Sequence, residues 1–307
     1  MSIALAVALV AGTGGILLER AINGPVVADD YYDGVDTARP IEAEYTQLGP
    51  YSIDEATFES HDSHFEKFKI WFPADMSQEG ARKFPAVVVA NGSGTPFFRF
   101  EPILRHLASW GFIVIGNDDP DSGDGRSTSM SLDFLLSLDR DTSSVFFAKV
   151  DATNIGAAGH SQGGPAVINA ATRYDNSDDI SSVFVASTTS RALIEKAELT
   201  SWAYDPSSLG VPYFAVAGTG EADAELIAPL HSLVENFELI SDGLPAVIAR
   251  RDGADHGDML SWADGYMTAW FRYTLADDGR AKDAFVGQSA EIERNPNWID
   301  IHRKGLE

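Results

Sequence analysis

The sequence has no cysteine. Disulfides, thiolate nucleophiles and cysteine-held zinc or iron–sulfur centres are thereby excluded. Positive charge is scarce: 22 lysines and arginines stand against 46 aspartates and glutamates, a net charge of −24. Such a surface repels phosphate backbones and anionic headgroups, which excludes nucleic acid as a partner. Internal repeats and low-complexity tracts are absent too. The one strongly apolar terminus, Ile3 to Leu18, is shorter than the ~20 residues a helix needs to cross a bilayer. It has the length of a secretory h-region, and "VVA" ahead of Asp29 ends in a small residue suited to cleavage after Ala28. Residues 1–28 are expected to be a signal peptide or a membrane tether, which places the protein outside the cell. The alternative is a packed apolar helix in a cytoplasmic protein. The polar, acidic residues 29–45 read as a linker.

From about Thr46 onward, strand-like and helix-like segments alternate. "TFES" and "FEKFKIWFPA" carry the period-2 pattern of antiparallel strands. "FPAVVVANG" is a continuous apolar run closed by glycine, the mark of a strand buried on both faces. "FIVIGND", "TNIGAAGH", "ISSVFVAS", "VPYFAVAG" and "PAVIAR" read as further strands, with helical patterns between them. The last long helical pattern is "GDMLSWADGYMTAWFRYTL". This order predicts an α/β fold with a mostly parallel central sheet, helices on both faces and no large cap. The folded domain is expected over residues 46–288, with 289–307 as a polar C-terminal tail.

"AAGHSQGG" sets Ser161 between Gly159 and Gly163, after a strand and before a helix. That is the context a nucleophile elbow requires: a tight turn with strained dihedrals, and neighbours too small to clash. The helix start aims N–H groups at a developing oxyanion, and Gln162 supplies the first. The second donor belongs to the loop "NGSGTPFF", where the Ser93 N–H is the candidate. A serine needs a base. His61, His64 and His106 precede the elbow, and His160 lies within it, its side chain expected to point away from the serine's. His231 falls in a helical pattern and His302 in the polar tail. His256, on a loop between the last strand and the last long helix, is the candidate base. The orienting acid must follow a strand between serine and histidine. No carboxylate follows "VFVAS" before Glu195, which leaves Glu221, Asp223 and Glu225 in "GTGEADAEL".

These segments resemble the α/β-hydrolase superfamily, and within it the lidless cutinases and poly(ethylene terephthalate) hydrolases. "GPYSI", "RHLASWGFIVI", "GHSQGG", "GEAD…IAP" and "YMTAWFRYTLADDGR" carry the likeness, which runs through roughly residues 46 to 285. The resemblance implies ester hydrolysis without a cofactor, by a triad of Ser161, His256 and Asp223, the last matching the family's E-x-D. Two positions depart from the family: Ser93 replaces an aromatic ring and Gln162 a methionine. "NGSGT" is closer to chlorophyllase-like esterases. The implied partner is a small or polymeric ester, of short acyl chain or of cutin or polyester type. Gly92, Phe97 and Trp202 are candidates to line its cleft. An acyltransferase with the same triad and a catalytically silent binding protein are the alternatives. The acidic loop 117–126 spaces its carboxylates unlike a calcium loop and reads as a solvated turn, so no metal is assigned.

Overall fold

A computed structural model describes residues 26–76, 80 and 82–307. Nine strands form one sheet in the order β1-β2-β4-β3-β5-β6-β7-β8-β9. They are β1 (Ile53–Glu59), β2 (Lys67–Pro73), β3 (Phe84–Ala90), β4 (Ile113–Asn117), β5 (Val150–His160), β6 (Ser182–Ala186), β7 (Tyr213–Gly218), β8 (Ala246–Arg251) and β9 (Trp298–Lys304). Strands β3 to β8 run parallel, while β1, β2 and β9 add antiparallel edges. This is the expected α/β-hydrolase architecture.

The apolar runs account for the layers. Successive side chains of a strand point to opposite faces. Val87 and Val89 therefore enter one core with Ile103, Leu107, Trp270 and Phe271, while Val88 enters the other with Leu132, Val167 and Leu233. Helices α1 (Pro40–Thr46), α2 (Glu101–Ser109) and α6 (Asp264–Ala276) cover the first face. Helices α3 (Arg126–Arg140), α4 (Gly163–Arg173) and α5 (Leu230–Leu239) cover the second. A strand buried on both sides cannot alternate in polarity, hence the continuous runs.

Two expected boundaries are corrected. Residues 29–45 are no linker: Tyr31, Ile41 and Tyr45 are buried, and α1 packs on α6. Residues 289–307 are no tail, because β9 pairs with β8 from Ala246–Lys304 to Arg251–Trp298. The physical reason is that the two segments hold each other. Glu291 accepts the N–H groups of Ile41 and Glu42, each at 2.8 Å, so its charge caps the α1 N-terminus. Glu42, itself buried, accepts Trp298 Nε1 and Asn295 Nδ2, each at 2.7 Å. Each segment looks polar alone because its polar groups are satisfied by the other. Of the predicted signal or tether, residues 1–25 lie outside the described residues. Among the described residues no helix is long and apolar enough to cross a membrane.

Parallel strands all deliver their loops to one edge. The turns after β3, β4, β5, β6, β7 and β8 meet at the carboxyl end of the sheet, where open α/β sheets bind ligands.

Candidate active site

Ser161 stands on the turn between β5 and α4 with φ +59°, a left-handed conformation unusual for a residue with a Cβ. Its N–H is anchored to Ala186 O at 2.9 Å. The flanking glycines are there for space. A Cβ on Gly159 would lie 2.2 Å from Gly163 O, and one on Gly163 would lie 2.5 Å from Ala90 O. Gly159→Ala is accordingly expected to destabilise by about 1–3 kcal/mol and to lower activity by displacing Ser161. Thermal melts alongside esterase rates check this, and an active variant with unchanged melting temperature contradicts it.

The three candidate acids separate cleanly. Asp223 is fully buried on a single π-helical turn, Ala222–Ile227, whereas Glu221 and Glu225 are exposed. Asp223 Oδ1 accepts from His256 Nδ1 at 2.6 Å. Its Oδ2 accepts from Ser187 Oγ at 2.5 Å and from the Gly218 N–H at 2.8 Å. Burial pushes this carboxyl up, but the His256 bond and charge, with the Ser187 and Gly218 bonds, bring it below the usual carboxylate range. It is an anion held by three donors.

His256 is fixed from its other side by His160. The rings stand 4.5 Å apart, and His160 Nε2 donates to the His256 carbonyl at 2.8 Å. Burial, then the neighbouring His256, pushes the His160 imidazole down to about 3, so it stays neutral and keeps that proton on Nε2. His160 thus turns from the serine toward the His256 loop. Ser161 Oγ forms no hydrogen bond of ordinary geometry among the described residues. Nucleophile–base contacts are often loose before substrate binds.

The Gln162 and Ser93 N–H groups also lack a protein acceptor among the described residues, while their side chains are paired. Gln162 is buried. In the amide orientation that satisfies both ends, it donates to Ser93 Oγ at 2.5 Å and accepts from the N–H groups of Gly123, at 3.1 Å, and Ser122. This polar bridge ties the loop after β3 to the loop after β4. Gly92 approaches closely: a Cβ there would lie 3.7 Å from Ser161 Cβ.

Two expected cleft residues are packing residues instead. Phe97 is 6% exposed and lies edge-on to Trp71 at 5.6 Å. Trp202 is 4% exposed and lies flat against Gly123, where a Cβ would come within 2.4 Å of the indole. Its Nε1 donates to Asp121 Oδ1 at 3.1 Å. The indole holds the acidic loop in place and has no face left for a ligand. Carboxylates of that loop are taken up by backbone donors: Asp118 accepts from the Glu66 and Lys67 N–H groups at the start of β2, and within the loop Asp119 accepts from Asp121 and Asp124 from Arg126. Among the described residues no group of acids and histidines is disposed to hold a metal.

Sequence reasoning missed Ser187 and the His160–His256 contact. Ser187 carried a signal, since it directly follows β6, a place where some α/β-hydrolases put the acid itself.

A profile of PET hydrolase-like proteins matches residues 28–294. A bis(hydroxyethyl) terephthalate hydrolase of Streptomyces coelicolor is 28% identical over 293 residues, covering 89% of this chain and 83% of the relative. The family match spans the N-terminal segment that the fold also includes, and the sheet order and the serine turn agree with it. The chain therefore belongs to the PET hydrolase-like family and is a carboxylic-ester hydrolase built on the α/β-hydrolase fold.

Proposed function

We propose that Ser161, His256 and Asp223 form a catalytic triad that cleaves esters through an acyl-enzyme. The observation that carries this reading is the buried Asp223 carboxylate bonded to His256 Nδ1 at 2.6 Å, on the loop beside a strained serine turn. The Asp223 bond keeps the His256 proton on Nδ1 and leaves Nε2 basic. Nε2 takes the Ser161 hydroxyl proton as Oγ attacks the ester carbonyl. The tetrahedral oxyanion is received by the N–H groups of Gln162 and Ser93, which have no competing protein acceptor among the described residues. His256 then protonates the departing alcohol, and the same base activates water to release the acid.

The substrates are short-chain or polymeric esters of cutin or polyester type, and a hydroxyethyl ester of an aromatic dicarboxylic acid is the small member to test first. The chain from Ser187 to Gly210 is too short for a cap, which leaves the approach to Ser161 open to bulky acyl groups. A fluorophosphonate probe tests the nucleophile: it is expected to label Ser161 and no other residue. Failure to label would sink the mechanism. A series of p-nitrophenyl esters from C2 to C12, run beside bis(hydroxyethyl) terephthalate and a polyester film, tests the substrate class. Rates are expected to be highest on the short chains, and an optimum at C12 overturns that preference.

A further inference from the structure

We propose that Ser187 is a positioning residue for catalysis: its hydroxyl holds Asp223 in the orientation and charge state that His256 requires. This rests on the triad reading above. Ser187 follows the last residue of β6 and is fully buried. Its φ is +48°, in the left-handed region that favours glycine. The backbone there is pinned by the Ser187 N–H donating to Val216 O at 2.7 Å, next to the strand that leads to Asp223. A glycine would meet that conformation without strain. Backbone strain that persists at a site is compensated by what the side chain does. Here the side chain makes one bond, Oγ to Asp223 Oδ2 at 2.5 Å.

The bond matters because Asp223 has two jobs for two oxygens. Oδ1 must face His256. Oδ2 is closed off from water by Ser187 and the Gly218 N–H, so the carboxylate cannot rotate to share its charge elsewhere. With the hydroxyl removed, Asp223 loses a donor to its anionic form and becomes more basic. It then holds the proton on His256 Nδ1 more tightly. The titratable groups around this pair are the neutral His160 from the end of β5, packed on the His256 ring, and Asp255, the chain neighbour of His256. Glu221 and Glu225 sit on Asp223's own turn. None of them changes with the serine.

The test compares Ser187→Ala and Ser187→Gly on p-nitrophenyl butyrate. Both remove the hydroxyl; only glycine also relieves the left-handed backbone. Both are expected to lower kcat about 10–100-fold, the size of a hydrogen bond to a charged group, with KM little changed. The acid limb of kcat/KM is expected to move to higher pH in both. Thermal stability of Ser187→Gly is expected to equal or exceed that of Ser187→Ala. If the role were only to shape the turn, Ser187→Gly would keep the wild-type rate and pH profile, and that result overturns the proposal. Adding Ser187→Ala to Asp223→Asn is expected to cost little more, since the two act through one carboxylate; full additivity counts against it. If Asp223→Asn alone retains full activity, the triad reading fails rather than this inference.

Discussion

Replacing Asp223 with asparagine is expected to lower kcat about 10⁴-fold, as loss of a triad carboxylate does elsewhere, while the protein still folds. The physical argument turns on donors and acceptors. Asp223 receives three hydrogen bonds and gives none. Asparagine has one acceptor oxygen and an NH₂. Its oxygen can satisfy Ser187 and Gly218, which share Oδ2, but the NH₂ then faces His256 Nδ1. That nitrogen must become an acceptor, the ring proton moves to Nε2, and the base can no longer take the Ser161 proton. Glu221→Gln, two residues away and exposed, is expected to leave kcat within about twofold, as surface changes usually do. Steady-state rates on p-nitrophenyl butyrate decide between them. A collapse in Glu221→Gln with an active Asp223→Asn would reverse the assignment.

The second large effect lies outside the proposed triad. His106 on α2 and Asp264 at the start of α6 are both fully buried, 2.8 Å apart. Tyr31, from the N-terminal segment, donates its hydroxyl to the same Asp264 oxygen, and His106 Nε2 donates to Gln47 O at 2.8 Å. Three segments thus close on one carboxylate. Asp264→Ala leaves the histidine charge buried without a partner, which is expected to destabilise by about 3–5 kcal/mol. For a domain of this size the melting temperature should fall by roughly 10 °C. The pH dependence follows from the histidine. Burial pushes the His106 imidazole down, but the Asp264 charge and bond outweigh it and raise it above its ordinary value. A group bound more tightly to its proton in the folded state stabilises fully below its unfolded pKa, about 6.5. That contribution is lost as pH rises through the elevated folded value. The deficit of Asp264→Ala relative to wild type should therefore be larger at pH 6 than at pH 9. Urea unfolding at both values measures it, and a deficit under 1 kcal/mol or one independent of pH contradicts the assignment.

The parts of this protein legible in the sequence are those whose cause is local. The runs "FPAVVVA" and "VPYFAVA" are uninterrupted because their strands are covered on both faces, so the parallel sheet follows from the pattern. The elbow is legible because its glycines are dictated by contacts within a few residues of Ser161 and with β3. His256 emerged by elimination, since the chain holds seven histidines and the fold places the base late. Trp202 and Phe97 were misjudged for the opposite reason. An aromatic residue near a loop has the same local sequence whether it faces a ligand or plugs a gap over Gly123 or Trp71.

The sequence by itself determined the α/β order of elements and the glycine-flanked serine turn, because each rests on periodicity or on crowding around a few residues. Only the tertiary structure decided the rest. It set Asp223 apart from the two other nearby carboxylates by burying it and bringing Ser187, Gly218 and His256 to it. It joined residues 29–45 to 289–307 through Glu42, Glu291 and Trp298, more than 240 residues apart in the chain. Hydrogen bonds between such distant polar groups leave no mark on local composition, and a carboxylate's role is set by which donors the fold brings within 3 Å of it.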